Sequence, residues 1–181
     1  EQLHLPLQSG SDRILARMHR GYNRQRFMDR LAMAREIIPD LTVTTDVIVG
    51  FPGETDEDFE MTMEVIEEAR FDSAFMFIFS PRPGTAAAEM TDQFVDPEVV
   101  QERLQRLVET QNRISAERNA EWVGRTVEVL SEGPSKKDPS VATTRTRGGK
   151  VVHVPGEYAP GTFLDVELTE AYQHHLVGRP V

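Results

Sequence analysis

The stretch His4-Leu5-Pro6-Leu7-Gln8-Ser9-Gly10-Ser11 is a short apolar run ending in Gln-Ser-Gly-Ser. It predicts a strand over Leu3–Leu7 that turns into a helix. Ser11 is the cap, and Ile14, Leu15 and Met18 share one helix face. Arg20 stands twelve residues beyond Gln8. That separation suits one polar group at a strand tip and one cation about two helical turns along. Two readings of Gln8, Ser9, Gly10, Ser11 and Arg20 stay open. One is a capped helix with a surface Arg. The other is a ligand site at the C-terminal edge of a strand, taking hydroxyls at one end and a carboxylate at the other.

Strand and helix signals alternate outward from this stretch. Arg24–Ile38 places Phe27, Leu31, Ala34 and Ile38 on a helical stripe that Pro39 stops. Val43–Val49 is β-branched and predicts a strand buried on both faces. Gly50-Phe51-Pro52-Gly53 is a turn, where glycine lets backbone approach a flat ring. Thr55 caps a helix with Asp56, Glu57 and Asp58 in its first turn and Phe59, Met63 and Ile66 as its buried stripe. Glu54, just before it, is either a general base or a dipole-stabilising carboxylate. Ala74–Phe79 is the next strand, ended by the stiff loop Ser80-Pro81-Arg82-Pro83-Gly84. Pro97 opens a long helix, with Leu104, Leu107, Val108, Gln111 and Ile114 along one side.

This order predicts a parallel α/β sheet with helices outside. About three strands are too few to close a barrel of this kind, which takes about eight. After Trp122 the texture changes to short β-rich runs between Gly and Pro turns. They are Arg125–Leu130, Val141–Arg147, Lys150–Val154, Phe163–Leu168 and His175–Arg179. Five such strands predict a small OB-like barrel. The expected domains are 1–117 and 118–181.

The 181 residues contain no cysteine, which excludes disulfides, thiolate zinc sites and iron–sulfur ligation by this chain. No apolar run approaches a membrane span, and the expected location is cytoplasmic. Net charge is −10. All of it falls in residues 1–121, where 13 Arg face 23 Asp and Glu; the remaining 60 residues balance. Within them Lys136, Lys137, Arg145, Arg147 and Lys150 form a basic cluster, either phosphate contacts or ordinary solvated charges. The adjacent His174 and His175 point to opposite strand faces and make a poor chelating pair. His4 and His19 have no recognisable partner, and no metal is assigned.

Taken together, three stretches resemble the second half of a radical S-adenosylmethionine methylthiotransferase. They are His4–Ser11 with Met18 and Arg20-Gly21-Tyr22, then Asp46–Phe59, then Ser80–Thr85. The β-rich tail resembles the TRAM domain of the same enzymes. Ser80-Pro81-Arg82-Pro83-Gly84-Thr85 and Glu132-Gly133-Pro134-Ser135-Lys136-Lys137-Asp138 are most similar to the MiaB-type tRNA branch. That branch adds a methylthio group to carbon 2 of N6-isopentenyladenosine at position 37, in the anticodon loop. Relatives act on threonylcarbamoyladenosine in tRNA or on ribosomal protein S12. An RNA-binding-only module is a further alternative.

The resemblance implies a partial radical barrel over 1–117 and an RNA-binding TRAM barrel over 118–181. It implies S-adenosylmethionine as cofactor and two 4Fe–4S clusters in the parent enzyme, which is expected to be monomeric and not membrane-bound. With no cysteine here, the cluster ligands are expected upstream, in a missing N-terminal part, and the chain alone is expected to be inactive. By the same resemblance Gln8 holds the ribose hydroxyls and Arg20 the methionine carboxylate. Val49 and Gly50 pack against adenine, and Ser9 and Ser80 lie near the cofactor. Arg82, Lys136, Lys137, Arg145, Arg147 and Lys150 are the expected RNA contacts.

Overall fold

Pro6 has no N–H to donate, and the first strand ends before it. In the computed structural model, which describes Glu1–Val181, β1 spans only Gln2–His4 rather than the expected Leu3–Leu7. Leu5 N–H still donates to Thr44 O at 2.8 Å. The chain rejoins the sheet at Gln8, which bridges to Val47. α1 (Asp12–Arg17) starts where Ser11 accepts the Ile14 N–H, and α2 (Arg24–Ile37) is capped by Asn23. Then follow β2 (Thr42–Val49), α3 (Asp56–Ala69), β3 (Ser73–Ile78), a short α4 (Ala86–Glu89), a 3-10 turn over Thr91–Gln93, and α5 (Pro97–Ala120). The three strands form one open sheet, order β1-β2-β3, with β2 and β3 parallel.

The expectation that β2 is buried on both faces holds for residues 42–45, all buried, and fails beyond them. Val43, Thr45, Val47 and Val49 are buried, whereas Asp46 and Ile48 are only partly so. Asp46 pairs with Phe75 and Ile48 with Phe77, and those phenylalanines are 58% and 51% exposed. Toward the C-terminal end of β2, one face of the sheet is therefore covered and the other is open. The α3 stripe is also rotated from expectation. Phe59, Thr62, Val65, Ile66 and Ala69 are buried, while Met63 is intermediate. Thr62 takes the inward place because its hydroxyl accepts the Gly10 N–H at 2.9 Å.

β4 (Thr126–Pro134), β5 (Val141–Thr146), β6 (Val151–Pro155), β7 (Phe163–Ala171) and β8 (Leu176–Pro180) close into a barrel, order β4-β5-β6-β8-β7. Only β6–β8 is parallel. Closure removes free sheet edges. Val129, Val152, Val154, Val166, Leu168 and Leu176 fill the interior. β4 outruns the expected strand through a bulge between Ser131 and Gly133. The chain divides into two compact units, one of His4–Pro39 with Val43–Asn112, the other of Glu1–Leu3, Asp40–Thr42 and Arg113–Val181. That division falls between Asn112 and Arg113, inside the continuous helix α5.

Asp58 ties two helix starts together. It accepts from the Ser11 hydroxyl at 2.6 Å and from the Thr55 N–H and hydroxyl at 2.9 Å each, and it pairs with Arg13. Burial alone would raise its pKa, but the Arg13, Ser11 and Thr55 hydrogen bonds outweigh it and hold the carboxyl well below the usual range. A depressed pKa contributes stability above the unfolded value, about 3.9, that is lost as pH falls toward the folded one. Asp58→Asn is expected to cost about 2 kcal/mol at neutral pH through two weakened caps. It should also flatten the acid limb of the stability profile, measured by urea denaturation from pH 7 to pH 2.

Candidate functional site

Gln8 adopts φ 67°, a left-handed conformation that costs a non-glycine residue about 1–3 kcal/mol. The sheet enforces it: Gln8 N–H donates to Asp46 O at 2.8 Å and Gln8 O accepts from Ile48 N–H at 2.9 Å. The chain then drops onto α3. A Cβ on Gly10 would lie 2.4 Å from Met61 O and 2.6 Å from Thr62 Cα, so glycine is the residue that fits. At the other end of α1, His19 is left-handed at φ 56°. Its N–H donates to Ala16 O, and Arg20 N–H to Leu15 O at 2.9 Å. This is a Schellman turn with His19 where glycine is usual.

These two constrained turns put Gln8 and Arg20 on one cleft of about 650 Å³, together with Ser80 and Arg82. Ile48, Phe51, Phe77 and Phe79 make its apolar wall, and Asp46 is its one carboxylate. Gln8 is 6% exposed, and its amide has no protein partner. Arg20 and Arg82 are exposed and form no ion pair. The lining thus offers a buried amide and free cations beside an apolar surface. That chemistry suits a ligand with hydroxyls, a carboxylate and a flat ring.

Three expected cofactor residues are placed differently. The Ser9 hydroxyl lies 3.3 Å from Thr62 Oγ1 and accepts from Ser11 N–H, so it belongs to the α3 contact and not to the cleft. Val49 is fully buried, because strand alternation turns it to the covered face while Ile48 faces the cleft. Gly50, at φ 74°, gives its N–H to Glu54. Glu54 is 5% exposed and pairs with Arg103 at 3.3 Å. Burial pushes its pKa up, against the Gly50 N–H and Arg103. Glu54 holds the Gly50–Gly53 turn in place; it does not line the cleft. Sequence reasoning missed Asp46, Ile48 and Phe77, whose only signal was the strand register. It also gave His4 no partner, yet His4 sits 2.9 Å from Thr44 Oγ1 and 3.4 Å from Asp46 Oδ2.

In the barrel the basic cluster separates. Lys136, Lys137 and Arg147 are exposed. Arg145 pairs with Glu132 at 2.6 Å. Lys150 must be removed from the expected RNA contacts. It is 8% exposed, donates to Asn119 Oδ1 at 2.9 Å and lies over the Trp122 ring. Its ammonium is thus held between the indole face and the Asn119 amide oxygen.

Residues 1–66 match the Radical SAM superfamily and residues 121–181 the TRAM domain. The chain thus carries a segment similar to the Radical SAM superfamily followed by one similar to the TRAM domain. It is 52% identical to the tRNA-2-methylthio-N(6)-dimethylallyladenosine synthase of Saccharopolyspora erythraea over 97% of its own length and 38% of that protein's. The synthase of the same name from Thermobifida fusca is 54% identical, over 97% and 37%. The chain thus spans somewhat over a third of these relatives. Coproporphyrinogen III oxidase (HemN) of Escherichia coli, a radical SAM enzyme, shares the fold at a TM-score of 0.54 and 16% identity. That match covers 81% of this chain and 41% of HemN.

In the unit that carries the cleft, Arg103→Met leaves Glu54 buried without its cation. The expected cost is about 3–5 kcal/mol in chemical denaturation. Adding Glu54→Gln to that variant should recover part of the loss.

Proposed function

We propose that this chain forms the S-adenosylmethionine-holding part and the RNA-facing barrel of a tRNA methylthiotransferase acting on carbon 2 of N6-isopentenyladenosine at position 37. The observation that carries the reading is the convergence of the unpartnered Gln8 amide and the unpaired Arg20 guanidinium on one cleft. The relatives' printed name, tRNA-2-methylthio-N(6)-dimethylallyladenosine synthase, supplies the substrate.

The residues present fit S-adenosylmethionine. Gln8 holds the ribose hydroxyls by hydrogen bonds. Arg20 holds the methionine carboxylate by a charge-assisted, potentially bidentate pair, which lysine does not reproduce. Ile48 and Phe51, on the apolar wall of the cleft, offer cover for the adenine ring in place of Val49. Ser80 and Arg82 edge the same cleft toward cofactor or base. When bound, S-adenosylmethionine supplies the one-electron chemistry and the methyl group. The residues do not fit an iron–sulfur cluster, because the chain has no cysteine. The thiolates for both 4Fe–4S clusters come from residues outside these 181, and the chain alone is inactive.

The TRAM domain supports an RNA partner, here the anticodon loop of tRNA, with Lys136, Lys137 and Arg147 on phosphates. No helix is long and apolar enough to cross a membrane. A tRNA substrate in turn assigns the enzyme to the cytoplasm.

In the full-length enzyme, Arg20→Ala should weaken S-adenosylmethionine binding about 10- to 100-fold, the loss of a charged hydrogen bond. Gln8→Ala should cost about 5-fold. Unchanged affinity in calorimetric titration removes either residue from the site. Nucleosides from cells lacking the gene should lose the 2-methylthio group and retain isopentenyladenosine, as read by mass spectrometry.

A further inference from the structure

The turn joining β7 to β8, Tyr172-Gln173-His174-His175, carries a set of rings that the cleft does not use. Tyr172 and His175 stack with centroids 4.7 Å apart and planes 14° from parallel. His153, from β6, meets His175 edge-on at 4.8 Å. The two histidines that make contact are thus twenty-two residues apart in sequence, not the adjacent pair. His174 stays outside the ring series, with its Nε2 2.9 Å from Gln173 Nε2.

The turn is held from two sides. Tyr172 N–H donates to His175 O at 2.8 Å. The buried Asn119 on α5 donates to Tyr172 O at 2.8 Å. The Tyr172 hydroxyl donates a hydrogen bond to Glu170 Oε2 at 2.6 Å, which restrains the ring's tilt. Despite these restraints Tyr172 is 48% exposed. A rigid aromatic face left open on a polar surface is an anchor whose ordering cost is met before binding.

Two imidazoles without a third donor do not make a metal site, and no group of three or more His, Cys, Asp or Glu side chains on this chain is placed to hold a metal ion. Burial lowers the pKa of His175, and His153, His174 and Lys137 lower it further. The ring is therefore neutral at physiological pH and presents a π face rather than a charge. Lys137, whose charge reaches His175, has no ion pair, and neither has Lys136 beside it.

We propose that Tyr172, backed by His175 and His153, is a stacking platform for an unpaired RNA base, with Lys137 placed for the adjoining phosphate. The proposal rests on the reading of the TRAM domain as the RNA-binding part. It separates that binding into a salt-insensitive stacking contact and a salt-sensitive phosphate contact.

The test is fluorescence anisotropy of the full chain with a short single-stranded RNA oligonucleotide at several salt concentrations. Tyr172→Ala is expected to weaken binding about 5- to 100-fold with the salt slope unchanged. Tyr172→Phe should keep most of the affinity. Lys137→Ala should lower the slope by about 0.7, the value for one single-strand phosphate contact. Should Tyr172→Ala unfold, the imidazole proton signals of His175 in the unaltered protein give a second readout, expected to shift on RNA addition by ring current. Wild-type binding with Tyr172→Ala unaffected, or with the His175 signals unmoved, overturns the platform and leaves the RNA reading standing. Absence of wild-type binding at low salt overturns both.

Discussion

A single carboxylate, Asp58, fixes the geometry on which the cleft depends. It receives Ser11 from the start of α1 and Thr55 from the start of α3. A carboxylate at two helix N-termini is favoured by the positive dipole end of each. One turn along α3, Thr62 takes the Gly10 N–H. The loop Gln8-Ser9-Gly10-Ser11 is therefore clamped by Asp58 and Thr62 on one side and by the β2 backbone on the other. The left-handed Gln8 is the consequence, a local strain sustained by surrounding hydrogen bonds.

Charge satisfaction separates structural from ligand-facing residues. Glu54, Arg103, Asp58 and Lys150 are buried and their charges are met within the protein. Gln8 and Arg20 lie on the cleft and their side-chain polar groups are not met by the protein. A buried charge left alone is too costly to persist, so the first set is bound to architecture. An amide or guanidinium at a cleft wall has water, and then a ligand, as its partner.

Much of this was legible in the chain. Ser11 and Thr55 announced two helix starts, and the turn residues after Trp122 announced the barrel strands. The Gln8–Arg20 spacing was visible, though its meaning was not. The misses have one cause. Which face of β2 is covered depends on partners distant in sequence, so Asp46 and Ile48 were read as core, and Val49 as cofactor contact. Lys150 looked like a loop cation, yet Trp122 and Asn119 enclose it. His175 stands next to His174 in the sequence, whereas in the fold its ring meets His153.

The sequence by itself determined the local elements, the absence of thiolate chemistry and the two-part organisation, because caps, turn residues, alternation and composition act over a few residues. Only the tertiary structure decided which polar groups remain unpaired. That property belongs to pairs such as Glu54 with Arg103 and Lys150 with Asn119, whose members lie tens of residues apart and meet only when the chain is packed.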